Sequence, residues 1–213
     1  MILHDFWRSS AAYRVRIALN LKGLDYEAVA HSLPRSEQRT AHFLALNPQG
    51  MVPALQIGEQ VITQSLAIME YLDELRRDPP LLPADPFARA SVRAMALAIA
   101  CDIHPLNNLR VLNYLRAEFA ADETAVTVWI KRWIGEGFGA LESQVRAHSS
   151  AGRFCFGDAA TLADACLVPQ MYNARRFGCD LQAFPTLVAI DAHCRALDAF
   201  GKAAPEHQPD AVT

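Results

Sequence analysis

The pattern of apolar and polar positions divides the chain into two parts of different character. Up to residue 77, short strand-like runs alternate with apolar residues at helical spacing. The predicted elements, in order, are a strand at 1–3, a helix at 11–19, a strand at 26–30, a helix around 43–46, a hairpin over 52–63 and a helix from 64. This order of strands and helices predicts a small α/β domain.

A proline-rich segment separates this part from the rest of the chain. Residues 77–86 contain four prolines in ten positions, which prevents a continuous helix. Beyond it, strand signals almost vanish, and helical periodicity covers 88–116, 122–148, 161–177 and 185–200. We therefore predict an α/β domain over residues 1–80, a linker at 81–87 and an all-helical bundle over 88–213.

Three local signals refine the predicted helices. The first helix is expected to stop at Lys22-Gly23, where a cation precedes a glycine cap. Pro105 should kink its helix and leave carbonyls near Cys101 and Asp102 without partners. Thr161 to Asp164 fits a capping box for a buried helix, although Glu or Gln is more usual at its last position.

Composition narrows the class of protein. The net charge of −3, without a dense block of Lys and Arg, argues against a nucleic-acid partner. The five cysteines, at 101, 155, 166, 179 and 194, show no C-x-x-C spacing, which favours reduced and mostly buried thiols. No export signal is visible, and the apolar runs are too interrupted to span a bilayer. We expect a soluble, cytoplasmic protein with no membrane partner.

Candidate chemistry begins at the start of the first helix, where Arg8 precedes Ser9 and Ser10. Serine hydroxyls commonly cap the free N–H groups of a first helical turn, and this is one interpretation. The other is an anion site, because a helix start offers free donors and a positive dipole end, and Arg8 adds a cation. A thiolate is such an anion, and since no cysteine lies in this stretch it would arrive on a ligand.

A second candidate is the Val52-Pro53 step, which follows the turn signal Asn47 to Gly50. Proline at a strand start leaves an edge unpaired, a cis bond is possible there, and a peptide ligand can add its backbone to such an edge. The alternative is that Pro53 only protects an edge strand. Gln64-Ser65, at the next helix start, repeats the anion-friendly arrangement.

These and further pieces together resemble a known family. The chain is similar to cytosolic glutathione transferases of the zeta class, which includes maleylacetoacetate isomerases and is close to maleylpyruvate isomerases. The matching pieces are Arg8-Ser9-Ser10, 14–19, 47–48, 52–53, 64–68, 105–110, 157–158, 161–164, 167–170 and the tail at 205–210. The resemblance implies the glutathione transferase fold, a thioredoxin-like domain followed by an all-helical domain, in a homodimer with glutathione as cofactor.

The resemblance also implies roles for individual residues. Ser9, assisted by Ser10, would donate a hydrogen bond to the glutathione thiolate. Val52 would pair its backbone with the ligand's cysteine, with Pro53 cis. Gln64 and Ser65 would hold the γ-glutamyl end of glutathione, and Gln49 would contact its glycine end. Further implied contacts lie around the proline kink, some of them acting across the dimer interface: Asp102, His104, Asn108 and Arg110.

The sequence departs from the zeta pattern at two positions. Ala11 replaces the usual cysteine, which excludes a cysteine-based side reaction at this helix start. Tyr13 replaces the usual tryptophan, a change expected to affect packing only. No tyrosine precedes position 13, so the serine hydroxyls are the remaining donors for the thiol.

The resulting hypothesis is cis–trans isomerisation of a maleyl dicarboxylate by reversible thiolate addition, with no metal. Arg8, Arg110 and Arg176 are candidates for gripping the substrate carboxylates, since each guanidinium can bind a carboxylate with two hydrogen bonds. Arg175 is expected to be a solvated surface arginine, and His104 is either a proton-transfer helper or a structural histidine.

Three alternatives remain open from the sequence. A maleylpyruvate isomerase would apply the same chemistry to a smaller acid. A general conjugating transferase would need a wider and more apolar pocket for its electrophilic substrate than three arginines suggest. A non-catalytic interaction module would be expected to lose the serines or the Gln-Ser pair, and neither is lost.

Overall fold

A four-stranded mixed sheet forms the centre of the N-terminal unit. The computed structural model describes residues 1–149 and 152–211, and this unit contains Met1–Leu81 together with the chain from Arg195 onward. The strands are β1 (Ile2–Asp5), β2 (Glu27–Ala30), β3 (Ala54–Ile57) and β4 (Gln60–Thr63), in the order β2-β1-β3-β4. The β1–β2 pair is parallel, and the other two pairs are antiparallel.

Three helices accompany the sheet in the order that the sequence predicted. They are α1 (Ser10–Leu21), α2 (Ala41–Leu46) and α3 (Ser65–Leu75), with short 3-10 turns at Leu33–Arg35 and Glu37–Arg39. The predicted stop of the first helix is confirmed, since Lys22 caps α1 and Gly23 follows with φ of +57°. Apolar side chains of α1, including Val15, Ile17 and Leu19, are fully buried.

The position of β3 corrects one alternative for Pro53. Pro53 directly precedes β3, and β3 pairs with β1 on one side and with β4 on the other. The strand is therefore inside the sheet, so the expectation of an edge strand is wrong, both for a protective Pro53 and for a ligand that adds to the edge of β3 itself. The predicted cis bond between Val52 and Pro53 is confirmed.

The second unit, Leu82–Cys194, is helical. Its helices are α4 (Pro86–Leu97), α5 (Leu109–Phe119), α6 (Glu123–His148), α7 (Leu162–Arg176) and α8 (Pro185–Arg195). This confirms the predicted fold class, an α/β part followed by a mostly helical part.

The predicted disturbance at Pro105 is larger than a kink. After α4 the chain forms a π-helical segment, Ala98–Ile103, and then a 3-10 turn, His104–Asn107, before α5 begins. Proline has no N–H to donate to the carbonyl four residues earlier, so the regular ladder cannot continue through this stretch. Gly137 of α6 faces the segment closely, because a β-carbon there would lie 2.3 Å from Cδ1 of Ile103.

Buried carboxylates fix the starts of two helices in this unit. The capping box is confirmed: Asp164, fully buried, accepts hydrogen bonds from the N–H and hydroxyl of Thr161 at 2.7 and 2.8 Å. Its other oxygen accepts the N–H of Cys155 at 2.7 Å, which fastens the preceding loop. Glu142 of α6 similarly accepts the N–H groups of Thr186 and Leu187 at the start of α8, each at 3.0 Å.

The last part of the chain returns to the N-terminal unit. The sequence placed all of 88–213 in the helical domain, but the chain from Arg195 groups by its contacts with Met1–Leu81. Here α9 (Asp198–Ala203) packs on α1, with Phe200 and Ala203 fully buried. The single helix that the sequence predicted over 185–200 is instead two helices, α8 and α9, because Leu197 between them adopts an extended conformation.

Two further findings concern the described residues, 1–149 and 152–211. Among them, no helix is both long and apolar enough to cross a membrane, and no three His, Cys, Asp or Glu side chains are placed to hold a metal ion. All five cysteines are free thiols, and Cys155, Cys166 and Cys194 are buried.

The three hydrogen bonds to Asp164 lead to a stability prediction. Asp164→Ala leaves two buried N–H groups without an acceptor, so we expect the free energy of unfolding to fall by about 3 kcal/mol. Urea denaturation measures this change. Asp158→Ala is the control, because it removes an exposed carboxylate nearby and should change the stability by less than about 0.5 kcal/mol. Equal effects of the two variants would contradict the anchoring role of Asp164.

Candidate active site

The turn between β1 and α1 carries the first three candidate residues. The N–H of Ser9 donates to the carbonyl of Phe6 at 2.9 Å, which closes a turn with Trp7 and Arg8 at its centre. Ser9 caps α1 through its Oγ, which accepts the N–H of Ala12 at 3.2 Å. The capping interpretation of Ser9 is therefore confirmed.

Capping leaves Ser9 able to act on a ligand as well. A hydroxyl that accepts one hydrogen bond still has its own proton to donate. Ser10 is the first residue of α1, and the N–H groups of the first helical turn have no acceptor within the helix. Both serines are only partly buried, and the exposed Arg8 lies with its guanidinium carbon 5.1 Å from the centre of the Trp7 ring. Two hydroxyls, free donors and a cation thus lie at one helix start.

The loop before β3 packs directly against this turn. Val52, 9% exposed, forms an apolar cluster with Phe6 and Phe43, and Trp7 lies against the same cluster. The side chain of Asn47 shapes the loop by donating to the carbonyl of Met51 at 2.7 Å. Packing between Phe6 and Val52 therefore brings the serine turn and the Val52-Pro53 step together.

Val52 offers a backbone pairing site at this point. Because it lies just before β3, it is outside the ladders that β3 forms with β1 and β4. Within residues 1–149 and 152–211, neither its N–H nor its carbonyl has a hydrogen-bond partner. Buried backbone polar groups are nearly always paired, so an extended ligand backbone fits this position.

Gln64 and Ser65 complete the candidate residues of the N-terminal unit. Gln64 has φ of +70°, which is uncommon and strained for a residue other than glycine, and such strain concentrates at functional sites. Its Nε2 donates to Oε1 of Gln49 at 2.8 Å, so these two predicted residues meet. Ser65 begins α3, and its Oγ accepts a hydrogen bond from Nη1 of Arg14 at 3.2 Å.

Sequence reasoning missed the residues that support these contacts. Arg14 joins α1 to Ser65, and Arg16 joins Asp5 of β1 to the carbonyl of Trp7. Both arginines are buried, at 1% and 0% exposure. The sequence signal for both is the presence of two charged residues, Arg14 and Arg16, within the otherwise apolar run of α1.

The candidate residues of the helical unit fall in two places. Asp102, His104, Asn108 and Arg110 follow one another through the π-helical segment, the 3-10 turn and the start of α5. Asn108 caps α5, with its Oδ1 accepting the N–H of Arg110 at 3.3 Å, while the Arg110 side chain is exposed.

Arg176 lies at the end of α7 and is exposed. Its Nη2 donates to Oδ1 of Asn173 at 3.1 Å, and its guanidinium carbon lies 4.4 Å from the centre of the Phe177 ring. Its neighbour Arg175 is exposed, as expected of a surface arginine, but it also has a buried partner. Arg175 forms an ion pair at 2.5 Å with the fully buried Asp191, so its role is structural.

The chain's own cysteines are poor candidates for a reactive thiolate. Burial raises the pKa of the Cys155, Cys179 and Cys194 thiols, which keeps them protonated at neutral pH. Cys101 is exposed, but it lies on the π-helical segment of the helical unit and not in the first turn of α1. A thiolate at the α1 start therefore has to come from a ligand.

Comparison with known proteins agrees with this arrangement. Residues 8–75 match the family model for the glutathione S-transferase N-terminal domain. Over 212 residues, covering 100% of both chains, the protein is 52% identical to the maleylpyruvate isomerase of a Ralstonia species. It is 51% identical to the probable maleylacetoacetate isomerase of Vibrio cholerae over 213 residues, 99% of this chain and 98% of that one.

A solved structure shows what a relative binds. The maleylacetoacetate isomerase of Anaeromyxobacter dehalogenans has been determined with dicarboxyethyl glutathione and citrate in its active site. The present chain superposes on it with a TM-score of 0.88 at 45% identity, over 99% of this chain and 97% of that one. With these identities over the full length, the chain belongs to the zeta-class glutathione transferase family that includes the maleylacetoacetate and maleylpyruvate isomerases.

Proposed function

We propose that this protein is a glutathione-dependent cis–trans isomerase that converts maleylacetoacetate to fumarylacetoacetate. The observation that carries the proposal is the packing of the serine turn, through Phe6, against Val52, whose backbone groups have no partner among the described residues. That arrangement suits a peptide with a thiol, because it offers a backbone pairing site beside hydroxyl donors and a helix start. The relatives named as isomerases support the same function.

The residues of the N-terminal unit fit glutathione in a definite orientation. Val52 would pair with the backbone of its cysteine, next to Pro53. Ser65 and Gln64 would hold the γ-glutamyl carboxylate and amine at the start of α3, where free N–H groups favour an anion. Gln49, already hydrogen-bonded to Gln64, would contact the glycine end.

Bound glutathione supplies a thiolate that adds reversibly to the conjugated cis double bond, which permits rotation before the thiolate leaves. The protein's part is to stabilise charge. Ser9 donates a hydrogen bond to the thiolate, Ser10 and the first N–H groups of α1 assist, and Arg8 adds a positive charge. Hydrogen bonds that begin or end on a charged group are about twice as strong as neutral ones, so these donors lower the thiol pKa.

Arginines would hold the dicarboxylate substrate. Arg8, Arg110 and Arg176 are exposed and can each grip a carboxylate through two parallel hydrogen bonds. They would also balance the charge that thiolate addition moves onto the substrate's conjugated carbonyl. Asp102, His104 and Asn108 would contact the ligand from the segment around Pro105.

The same residues bear on the two alternative activities, a maleylpyruvate isomerase and a conjugating transferase. A maleylpyruvate isomerase would use the same groups on a shorter acid, and the 52% identical Ralstonia relative carries that name. A conjugating transferase would gain little from three arginines. The proposal includes a homodimer, which the family resemblance supports, and a cytoplasmic location, which the absence of paired-cysteine spacing supports. The linker predicted at 81–87 from its prolines overlaps the start of α4 at Pro86.

The decisive experiment is an isomerase assay on the purified protein with maleylacetoacetate and maleylpyruvate, each with and without glutathione. We expect turnover that requires glutathione without consuming it, since the thiolate is released in every cycle. The preferred acid identifies the substrate. If neither acid reacts while chlorodinitrobenzene consumes glutathione, the protein is a conjugating transferase and the proposed mechanism is wrong.

Ser9→Ala tests the thiolate donor. Loss of one hydrogen bond to an anion should raise the pKa of the bound glutathione thiol by about 1–2 units, measured by thiolate absorbance against pH. Stability should also fall by about 1 kcal/mol, because Ser9 caps α1. Ser9→Thr retains the hydroxyl and should preserve both properties. An unchanged thiol pKa in Ser9→Ala would move the donor role to Ser10.

Arg176→Ala tests substrate binding, with Arg175→Ala as the neighbouring control. Removing a charged hydrogen-bonding partner of a carboxylate should raise KM for the acid roughly 10-fold or more, with little change in glutathione affinity. Arg175→Ala should instead lower stability, since it removes one charged partner of the buried Asp191. If Arg176→Ala mainly weakens glutathione binding, Arg176 belongs to the cofactor site.

A further inference from the structure

The C-terminal segment of the described chain reaches the turn that carries Arg8, Ser9 and Ser10. Asp210 accepts the backbone N–H of Trp7 on its Oδ2 at 3.1 Å, across a separation of 203 residues in sequence. The Gln208-Pro209-Asp210 tail belongs to the pieces that carry the zeta resemblance.

The segment before Asp210 is itself well fixed. The side-chain amide of Gln208 donates to the carbonyls of Lys202 and Ala204 at 3.0 and 2.8 Å, and the N–H of Ala211 closes a turn onto the carbonyl of Gln208. Behind it, α9 packs on α1 through the buried Phe200. Asp210 is therefore presented from a turn that hydrogen bonds attach to the end of α9.

Arg16 binds the other backbone polar group of Trp7, its carbonyl. Its Nη2 donates to the carbonyl of Trp7 at 2.9 Å, its Nε donates to the carbonyl of Ala203 at 3.0 Å, and its Nη1 pairs with Asp5 at 2.7 Å. Ala203 belongs to α9, so Arg16 links the turn to the same C-terminal segment that supplies Asp210. The negative charge of Asp210 also contributes to raising the pKa of Asp5, after the larger effect of burial.

Both backbone polar groups of Trp7 are thus bound by charged side chains. Trp7 lies at the centre of the turn closed by Phe6 and Ser9, directly before Arg8. Fixing its N–H and its carbonyl fixes the direction in which the chain enters α1. That direction sets where the Ser9 hydroxyl and the Arg8 guanidinium are placed.

We propose that Asp210 is a positioning residue of the active site. It holds the Phe6–Ser9 turn so that the Ser9 hydroxyl and the Arg8 guanidinium are placed to stabilise the thiolate. Its catalytic consequence rests on the proposed function, whereas its effect on the turn does not. Small misplacements of a catalytic group are costly, since a shift of about 1 Å can reduce a rate by up to roughly 100-fold.

Asp210→Ala, Asp210→Asn and the wild type form the test series. In Asp210→Ala we expect kcat to fall about 10-fold, KM for glutathione to change less than about twofold, and the pKa of the bound thiol to rise. Asp210→Asn keeps an acceptor oxygen for the Trp7 N–H and should recover most of kcat. Glu206→Ala is the matched control, because it removes an exposed carboxylate from the same segment and should behave as wild type.

Hydrogen exchange separates this inference from the proposed function. In Asp210→Ala the amides of residues 7–10 should exchange at least about tenfold faster than in the wild type, whether or not glutathione binds. Unchanged exchange there, or an unchanged thiol pKa with unchanged kcat, overturns the positioning role. A lower melting temperature with normal thiol pKa and kcat assigns Asp210 to stability alone and also overturns it. Failure of the wild type to isomerise either acid overturns the proposed function, and the exchange result then still decides the role of Asp210.

Discussion

The buried guanidinium of Arg16 is the interaction on which the N-terminal unit depends. It is fully buried and binds a carboxylate of β1, the carbonyl of the turn that leads into α1, and a carbonyl of α9. Burying a charge is costly unless its hydrogen bonds are satisfied, so removing any one partner is penalised. The same requirement makes the geometry specific, because a planar guanidinium donates hydrogen bonds only along fixed directions. A strand, a turn and a distant helix are therefore fixed relative to one point.

Burial and the ion pair with Arg16 act in opposite directions on the pKa of Asp5. Removal from water raises the pKa of Asp5, while the charge and hydrogen bonds of Arg16 act to lower it. Buried carboxylates play a comparable part in the helical unit, where Asp164 and Glu142 each bind two backbone N–H groups. In each unit, buried charges fix where chain segments begin, while apolar packing supplies most of the stabilisation.

The candidate site reuses groups that the fold already needs. Ser9 caps α1 with its oxygen lone pair and keeps its proton for a ligand, so the structural and the functional interpretations of this serine are compatible. The two departures from the zeta pattern are accommodated differently. Ala11 leaves the helix start without a thiol, whereas Tyr13 is buried and donates its hydroxyl to the carbonyl of Phe200 at 3.4 Å, which ties α1 to α9.

Much of the molecule follows from local sequence signals. Hydrophobic periodicity predicted every strand and the order of the helices, because side-chain spacing reports directly on which face of an element is buried. Turn and cap chemistry predicted the stop at Gly23, the disturbance at Pro105 and the capping box at Asp164. The motif resemblance named Gln49 and Gln64, which share a hydrogen bond, and Val52, which clusters with Phe6 of the turn that leads to Ser9.

The tertiary structure alone decided the contacts between distant parts of the chain. It placed β3 inside the sheet, returned the chain from Arg195 to the N-terminal unit, and paired Arg175 with Asp191. It also joined Asp210 to Trp7, 203 residues apart in sequence. Periodicity and capping act within a few residues, whereas pairing partners are chosen by how whole elements pack. The sequence therefore determined the elements and the chemistry at their ends, and packing determined which of those ends meet.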